Sequence, residues 1–368
     1  MSGVASSLES SLAAVQPPAI NWKQKIAAEC YFRSPLPAMI QPVRERYRLS
    51  ISSAAGRRRF SFRRRNEASA RILYYHRVND DNDPFFPAIS TELFEQEMRF
   101  LRRRYTVVPL AELLERLTGE TAKPVVAITF DDGYRDNFQN AFPILERYSL
   151  PATIFLTTGT IDDGEALWFE TLALACKRTS REFHDLEIGS GERLWMRTEA
   201  ERLRANERIF AILRTLPDAE RRRCLALILR QLTTKDDGEL KDRMLTWNQV
   251  RFMQSRGIDF GGHTVTHPFL SRMTSEGFLW EVSECKRRIE EEIQLPALHF
   301  AYPNGREEDF GAANKELIRK VGYRAAVTTI WGTNYGSTDP MELRRGGPWE
   351  PSAAQFAYKL DWYQLVND

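Results

Sequence analysis

The chain has 368 residues, 42% of them hydrophobic and 28% charged, and a net charge of +2. That is the composition of a globular chain, long enough for one large α/β domain with appendages. No apolar run reaches 18 residues, which excludes a membrane-spanning helix, and the four cysteines (Cys30, Cys176, Cys224, Cys285) lie too far apart for a disulfide framework or a zinc–thiolate site, so buried free thiols are expected.

The charge is unevenly spread. Residues 1–70 carry twelve Lys/Arg against four Asp/Glu, and the remainder is net acidic. This segment reads as a basic N-terminal extension. Residues 1–20 are rich in Ser and Ala and read as disordered. Residues 22–50 read as one or two short helices interrupted at Pro35, Pro37 and Pro42. The run Arg57 to Arg65 reads as a solvated linker, or as a peripheral contact with anionic lipid or a polyanionic polymer. No nucleic-acid motif accompanies it, so nucleic acid is not an expected partner. The N-terminus shows no basic stretch followed by an apolar one, which predicts a cytoplasmic protein.

The second domain, residues 71–368, opens with a strand at 72–76 that ends in His76. Ser90 is a fair N-cap for a helix over 91–103, and a second helix covers 110–118. Val125-Val126-Ala127-Ile128-Thr129-Phe130 is a continuous apolar, β-branched run, the pattern of a strand buried on both faces. It ends in Asp131-Asp132-Gly133. The Phe138, Phe142, Leu145 spacing predicts a helix to about 148, kinked at Pro143. A strand follows at 152–156. Residues 162–243 are strongly charged, with helical spacing at 165–178, 197–214 and 217–232. They read as an inserted helical subdomain, a lid or platform over the strand ends. The rhythm resumes with a helix capped by Thr246, then strands at 258–262, 298–302 and 324–328 separated by helices at 275–293 and 310–321. At least six strands in β/α order imply parallel pairing with right-handed crossovers. Acids and histidines at several strand C-termini favour a barrel over an open sheet. Gly-x-Gly-x-x-Gly and P-loop patterns are absent.

Chemistry concentrates in three stretches. Asp131 and Asp132 sit at a buried strand's tip. His263-Thr264-Val265-Thr266-His267-Pro268 holds two of only five histidines. Its β-branched spacer and Pro268 place it on a turn rather than a helix. One carboxylate and two imidazoles make a three-ligand site for a divalent ion with one position open; the same set suits non-haem iron, so ligand type leaves the metal open. Neighbouring acids on an extended chain point apart, so one of the pair can bind metal while the other acts as a base. Phe300-Ala301-Tyr302-Pro303-Asn304-Gly305 is a further strand end, where a backbone N–H could face an oxyanion.

Thr129-Phe130-Asp131-Asp132-Gly133-Tyr134 resembles the first motif of the polysaccharide deacetylases, the NodB-homology or carbohydrate esterase family 4 enzymes. His263 to Pro268 resembles their second motif, and Phe300 to Gly305 a variant of their third. The resemblance implies a distorted (β/α)7 barrel and metal-dependent removal of N-acetyl groups from sugars. It implies Asp131 as general base, Asp132, His263 and His267 as ligands of one divalent ion (zinc first, with nickel, cobalt or iron as alternatives), and the Tyr302 N–H as an oxyanion donor. The third motif lacks the family's base-orienting arginine, and Arg345 is the expected substitute. The usual C-terminal Leu-x-His is missing, but Tyr74-Tyr75-His76-Arg77-Val78 resembles the N-terminal motif of the permuted poly-N-acetylglucosamine deacetylase branch. That places the general acid on His76. Trp331, Tyr335 and Trp349 are expected to stack on sugar rings of an N-acetylated glycan. Two rival readings stand beside this one: an O-acetyl esterase, and a non-catalytic glycan-binding or assembly module.

Overall fold

The computed structural model describes residues 47–54, 57–64, 69–118, 125–186, 191–232, 238–347 and 350–360, the first two stretches by backbone alone. The chain divides into two compact units, residues 1–63 with 350–367 and residues 64–349. In the first unit β1 (Tyr47–Ala54) and β2 (Arg57–Arg64) pair as a two-stranded sheet, and Ala353–Tyr358 is helical. The helical expectation therefore fails at 47–50, and the arginine run expected to be a linker is a strand. Residues 1–46, Arg65 and Trp349 lie outside the described residues.

The second unit is built on a parallel sheet. β3 (Ser69–Tyr75) pairs with β5 (Val125–Phe130) over six residues, from Ala70 opposite Val125 to Tyr75 opposite Phe130. Parallel pairing continues from β5 to β6 (Thr153–Leu156), β9 (Asp259–Gly262), β10 (His299–Ala301) and β11 (Ala325–Val327). Residues 343–346 then close the ring. Leu343 bridges Val327 and Gly346 bridges Leu73, both in parallel. Six strands and this short segment make the expected distorted β/α barrel of seven, its closure resting on two isolated bridges. Two short strands were not anticipated: β4 (Thr106–Val107), which pairs with β5, and β12 (Asn334–Tyr335), which runs antiparallel to the start of β3.

Alternation along the strands separates two layers. Ala70, Ile72, Val125, Ala127, Phe155, Ala301, Ala325 and Val327 share one cluster with Leu343. Phe300, Tyr302 and Ala326 fall in another, packed on Phe278, Val282 and Ile318 from the Ser275–Ile293 and Ala312–Val321 helices. Both faces are thus apolar, which is why the strands read as continuous hydrophobic runs.

The crossover helices follow the sequence signals. Ser90 accepts from the Leu93 N–H at the start of Thr91–Arg104, and Thr246 and Gln249 form a reciprocal capping box at Trp247–Gln254. The helix expected after Gly133 is two pieces. Asn137–Ala141 is a π-helical turn, and Phe142–Tyr148 follows with Pro143 in its first turn, where the missing N–H costs nothing. The insert has its own core, with Leu172, Cys176, Ile209, Leu213, Leu225 and Ile228 buried together. Its helices are Trp168–Arg178, Glu199–Leu213 and Asp218–Leu232, with an unpredicted hairpin of β7 (Phe183–Asp185) and β8 (Arg193–Trp195) between the first two. Among the described residues the three cysteines are free thiols, and burial pushes Cys176 and Cys285 up to about 12. Among them, too, no helix is long and apolar enough to cross a membrane.

Candidate active site

The C-terminal tips of the parallel strands converge on one polar cluster. β5 delivers Asp131 while still in the sheet, its N–H bonded to the Tyr75 carbonyl at 2.9 Å. Asp132 then turns left-handed, with φ of 73°, and Gly133 follows at 83°. Asx residues tolerate that region and glycine favours it. The two carboxylates part company because the strand breaks at Asp132, not because an extended chain continues through both.

Asp132 Oδ1 lies 3.4 Å from His263 Nε2 and 3.4 Å from His267 Nε2. All three residues are buried, and that oxygen has no hydrogen-bond donor. The imidazole rings stand nearly edge to face with centroids 4.9 Å apart. His263 is oriented from behind, its Nδ1 2.8 Å from the Ala301 carbonyl. The loop between the histidines is a turn, as its spacer predicted, and Pro268 leaves His267 left-handed at φ 54° rather than extended. The Thr264 hydroxyl accepts from the His267 N–H at 3.0 Å.

Asp131 faces a different partner. Arg345 Nη1 and Nη2 each donate to one of its oxygens at 2.7 Å. The guanidinium also donates from Nε to the Thr328 carbonyl at 2.7 Å and lies over the Tyr74 ring at 4.8 Å. It is 0% exposed. The closing segment 343–346 puts it there. His76, with 32% of its side chain exposed, places Nε2 4.0 Å from Asp131 Oδ2. The Asn137 amide, from the π-helical turn, donates to the His76 carbonyl at 2.7 Å.

Burial and charge oppose each other here. Burial alone would raise the Asp131 pKa, but Arg345, with His263 and His76, holds it below the ordinary carboxylate value. Burial works against Asp132 as well, and the nearby His263, His267 and His76 overcome it, so its pKa is lowered. The two imidazoles diverge. His267 is pushed down to about 4, mainly by burial, while Asp132 and Asp131 outweigh burial at His263 and raise it. A neutral imidazole, an ionised carboxylate and an orphaned buried oxygen between two ring nitrogens fit a divalent cation in both donor chemistry and spacing.

Three expected residues are not in this cluster. The Tyr302 N–H donates to the Val327 carbonyl at 3.1 Å and its hydroxyl to the Met341 carbonyl at 2.9 Å. The β10–β11 ladder runs one residue past the strand, so that N–H is spent on the sheet and no oxyanion contact is assigned to it. Tyr335 pairs with Ser69 at the opposite end of β3, beside His299 and Arg324 in a cavity of about 310 Å³. Seven residues of strand, roughly 20 Å, separate it from the histidines. Trp331 lays its ring against Gly346, where a Cβ would come within 3.0 Å of it. Alternation puts Gly346 on the face opposite Arg345, so this ring packs the barrel wall.

Residues 118–326, more than half of the chain, match the model of the polysaccharide deacetylase family. The chain belongs to that family. The matched region contains Asp131, Asp132, His263 and His267; His76 and Arg345 lie outside it. Over 133 residues the chain is 31% identical to the poly-beta-1,6-N-acetyl-D-glucosamine N-deacetylase of Staphylococcus aureus, a match covering 32% of this chain and 45% of that protein. The chain spans less than half the length of the curated relatives it matches. Among solved structures it resembles the Streptococcus pyogenes deacetylase PplD in complex with acetate, at 19% identity and a TM-score of 0.55, covering 79% of this chain and 97% of that one. It also resembles IcaB from Ammonifex degensii, at 20% identity and a TM-score of 0.50, covering 79% and 96%. At these identities the likeness is one of fold.

The helical insert contributes residues that the sequence did not single out. Trp168 Nε1 donates to the His267 carbonyl at 2.9 Å, and the Phe169 ring stands 5.1 Å from the His267 ring. Glu170 is buried 3.5 Å from Arg243 and 3.9 Å from Arg77, the neighbour of His76. Burial pushes it up to about 7. Trp168, Phe169 and Glu170 open a charged segment with no motif of its own, and only three-dimensional folding reveals them at the site.

Proposed function

We propose that this chain hydrolyses N-acetyl groups on the amino sugars of a polysaccharide or glycolipid. The carrying observation is the orphaned Asp132 Oδ1 held 3.4 Å from both histidine Nε2 atoms, beside a second carboxylate clamped by a buried arginine. Asp132, His263 and His267 would hold one divalent ion, zinc in the first instance. Bound there, it would supply Lewis-acid polarisation of the acetamide carbonyl and lower the pKa of water.

The remaining steps belong to side chains. Asp131, kept ionised by Arg345, takes a proton from the attacking water. The carbonyl carbon gains the C–O bond and then loses the C–N bond. His76 gives its proton to the departing nitrogen, so that a neutral amine leaves instead of an amide anion. Its partial exposure and 4.0 Å distance from Asp131 suit a group that meets substrate from the solvent side. The products are acetate and a free amino sugar.

The Staphylococcus aureus relative makes β-1,6-linked poly-N-acetylglucosamine the first substrate to try. The test is metal analysis of the purified protein coupled to acetate release from a panel of N-acetylated oligosaccharides. Stoichiometric metal with no acetate released from any of them would overturn the proposal.

A further inference from the structure

Glu281 lies on the buried face of the Ser275–Ile293 helix, 0% exposed, among Phe278, Val282 and Cys285. A carboxylate on that face must be satisfied or it costs folding energy. Its partners are all in one place. One oxygen accepts the backbone N–H groups of Val265 at 2.7 Å and Thr266 at 2.9 Å, and the other accepts the Thr266 hydroxyl. Arg222, from the insert, places Nη2 3.8 Å from that second oxygen. Val265 and Thr266 are the residues between His263 and His267.

That loop is strained. Thr264 has φ of 71° and His267 has φ of 54°. A β-branched residue with positive φ is an outlier that persists only where its surroundings over-determine it. The two histidines also differ in support. His263 has the Ala301 carbonyl behind its ring, whereas His267 Nδ1 is buried with no partner. With no hydrogen bond behind it, the His267 ring is set by the loop backbone and by packing on Phe169.

We propose that Glu281 is the positioning residue of the metal loop. It fixes the strained backbone in the conformation that turns His267 Nε2 toward Asp132, without touching either imidazole. This rests on the reading of Asp132, His263 and His267 as a metal site. It also gives the carboxylate a reason to sit 14 residues beyond His267 on an otherwise apolar helix face.

The test measures zinc affinity of the full-length chain by competition with a chromophoric chelator, for wild type, Glu281→Leu, Glu281→Asp and Glu281→Gln. Circular dichroism of the metal-free proteins checks folding. Glu281→Leu and Glu281→Asp should weaken zinc binding about 10–100-fold, as loss of outer-shell support does. Glu281→Gln keeps an acceptor for both N–H groups and should restore affinity to within about threefold of wild type. The visible spectrum of the cobalt-loaded Leu and Asp proteins should change as His267 swings away. Where the Leu variant does not fold, the Asp variant carries the comparison, being charged but one methylene too short. A folded Leu or Asp variant with unchanged zinc affinity overturns the role of Glu281 alone. A wild type that binds no divalent ion overturns the metal-site reading and this inference together.

Discussion

The guanidinium of Arg345 holds both oxygens of Asp131 through two bonds of 2.7 Å, although the residues are 214 positions apart. The pairing lowers the Asp131 pKa against the opposing effect of burial. Replacing Arg345 with Gln removes the largest lowering influence and leaves burial opposed only by His263 and His76, so the Asp131 pKa rises. A base works only when ionised. The acidic limb of the pH–rate profile should therefore move to higher pH, and the plateau rate should fall by ~10²-fold as the carboxylate loses its fixed direction. A profile with an unmoved acidic limb would remove Arg345 from the site's chemistry.

His76→Ala should slow amide cleavage by ~10²–10⁴, the usual contribution of a positioned acid. An O-acetyl ester has a better leaving group and should be slowed far less. Parallel rates on an N-acetylated and an O-acetylated oligosaccharide check this. A loss below about tenfold on the amide would assign the proton donor elsewhere.

Treatment with a strong chelator should abolish acetate release, and added zinc should restore it. Asp132→Ala should stay inactive in both conditions, with no metal retained after gel filtration. An alanine variant that keeps one metal per chain would refute Asp132 as a ligand.

Glu170 has a pKa of about 7 in the folded chain against an ordinary value of 4.5. Below about 4.5 it is protonated in both states, and above about 7 it is ionised in both. Between them the folded state binds more protons than the unfolded state, so stability is lost as pH rises through that window. Glu170→Gln lacks this loss. Its melting temperature relative to wild type should improve steadily between pH 4.5 and 7, measured by thermal unfolding across that range. A constant difference would contradict the raised pKa.

Gly261 sits where a Cβ would lie 2.6 Å from the His299 carbonyl oxygen and 2.7 Å from the Phe155 ring. Backbone on one side and a packed aromatic on the other leave little room to yield. Gly261→Ala should destabilise the chain by about 1–3 kcal/mol, the typical effect of overpacking, as read by urea titration. An unchanged midpoint would show that β9 and β10 can part.

The barrel was legible because strands such as β5 are unbroken apolar runs alternating with helical patterns, some of them opened by a capping residue such as Ser90 or Thr246. The convergence of Asp132, His263 and His267 was legible because they fall in two short motifs. Arg345 was reachable only as a substitute for a missing arginine; the pattern gave no sign that Leu343 and Gly346 would bridge two strands around it. The Tyr302 N–H bonds to the sheet and Tyr335 pairs at the far end of β3, and neither placement could be read in advance. Sequence tells which residues follow a strand, but not whether the ladder continues past it or the chain turns back down the barrel. Glu281 did leave a trace, as a carboxylate on a stripe otherwise made of Phe278, Val282, Cys285 and Ile289. Trp168 left none, since its contact depends on how a separately packed subdomain docks.

The bridge at residues 343–346 bears on biosynthesis. A ribosome makes Asp131, Asp132, His263 and His267 well before Arg345. On the proposed roles, a nascent polypeptide halted between His267 and Arg345 carries all three cation ligands yet lacks the clamp on its base. Catalytic competence then arrives in a single late event, when the last stave is translated and slots between Val327 and Leu73.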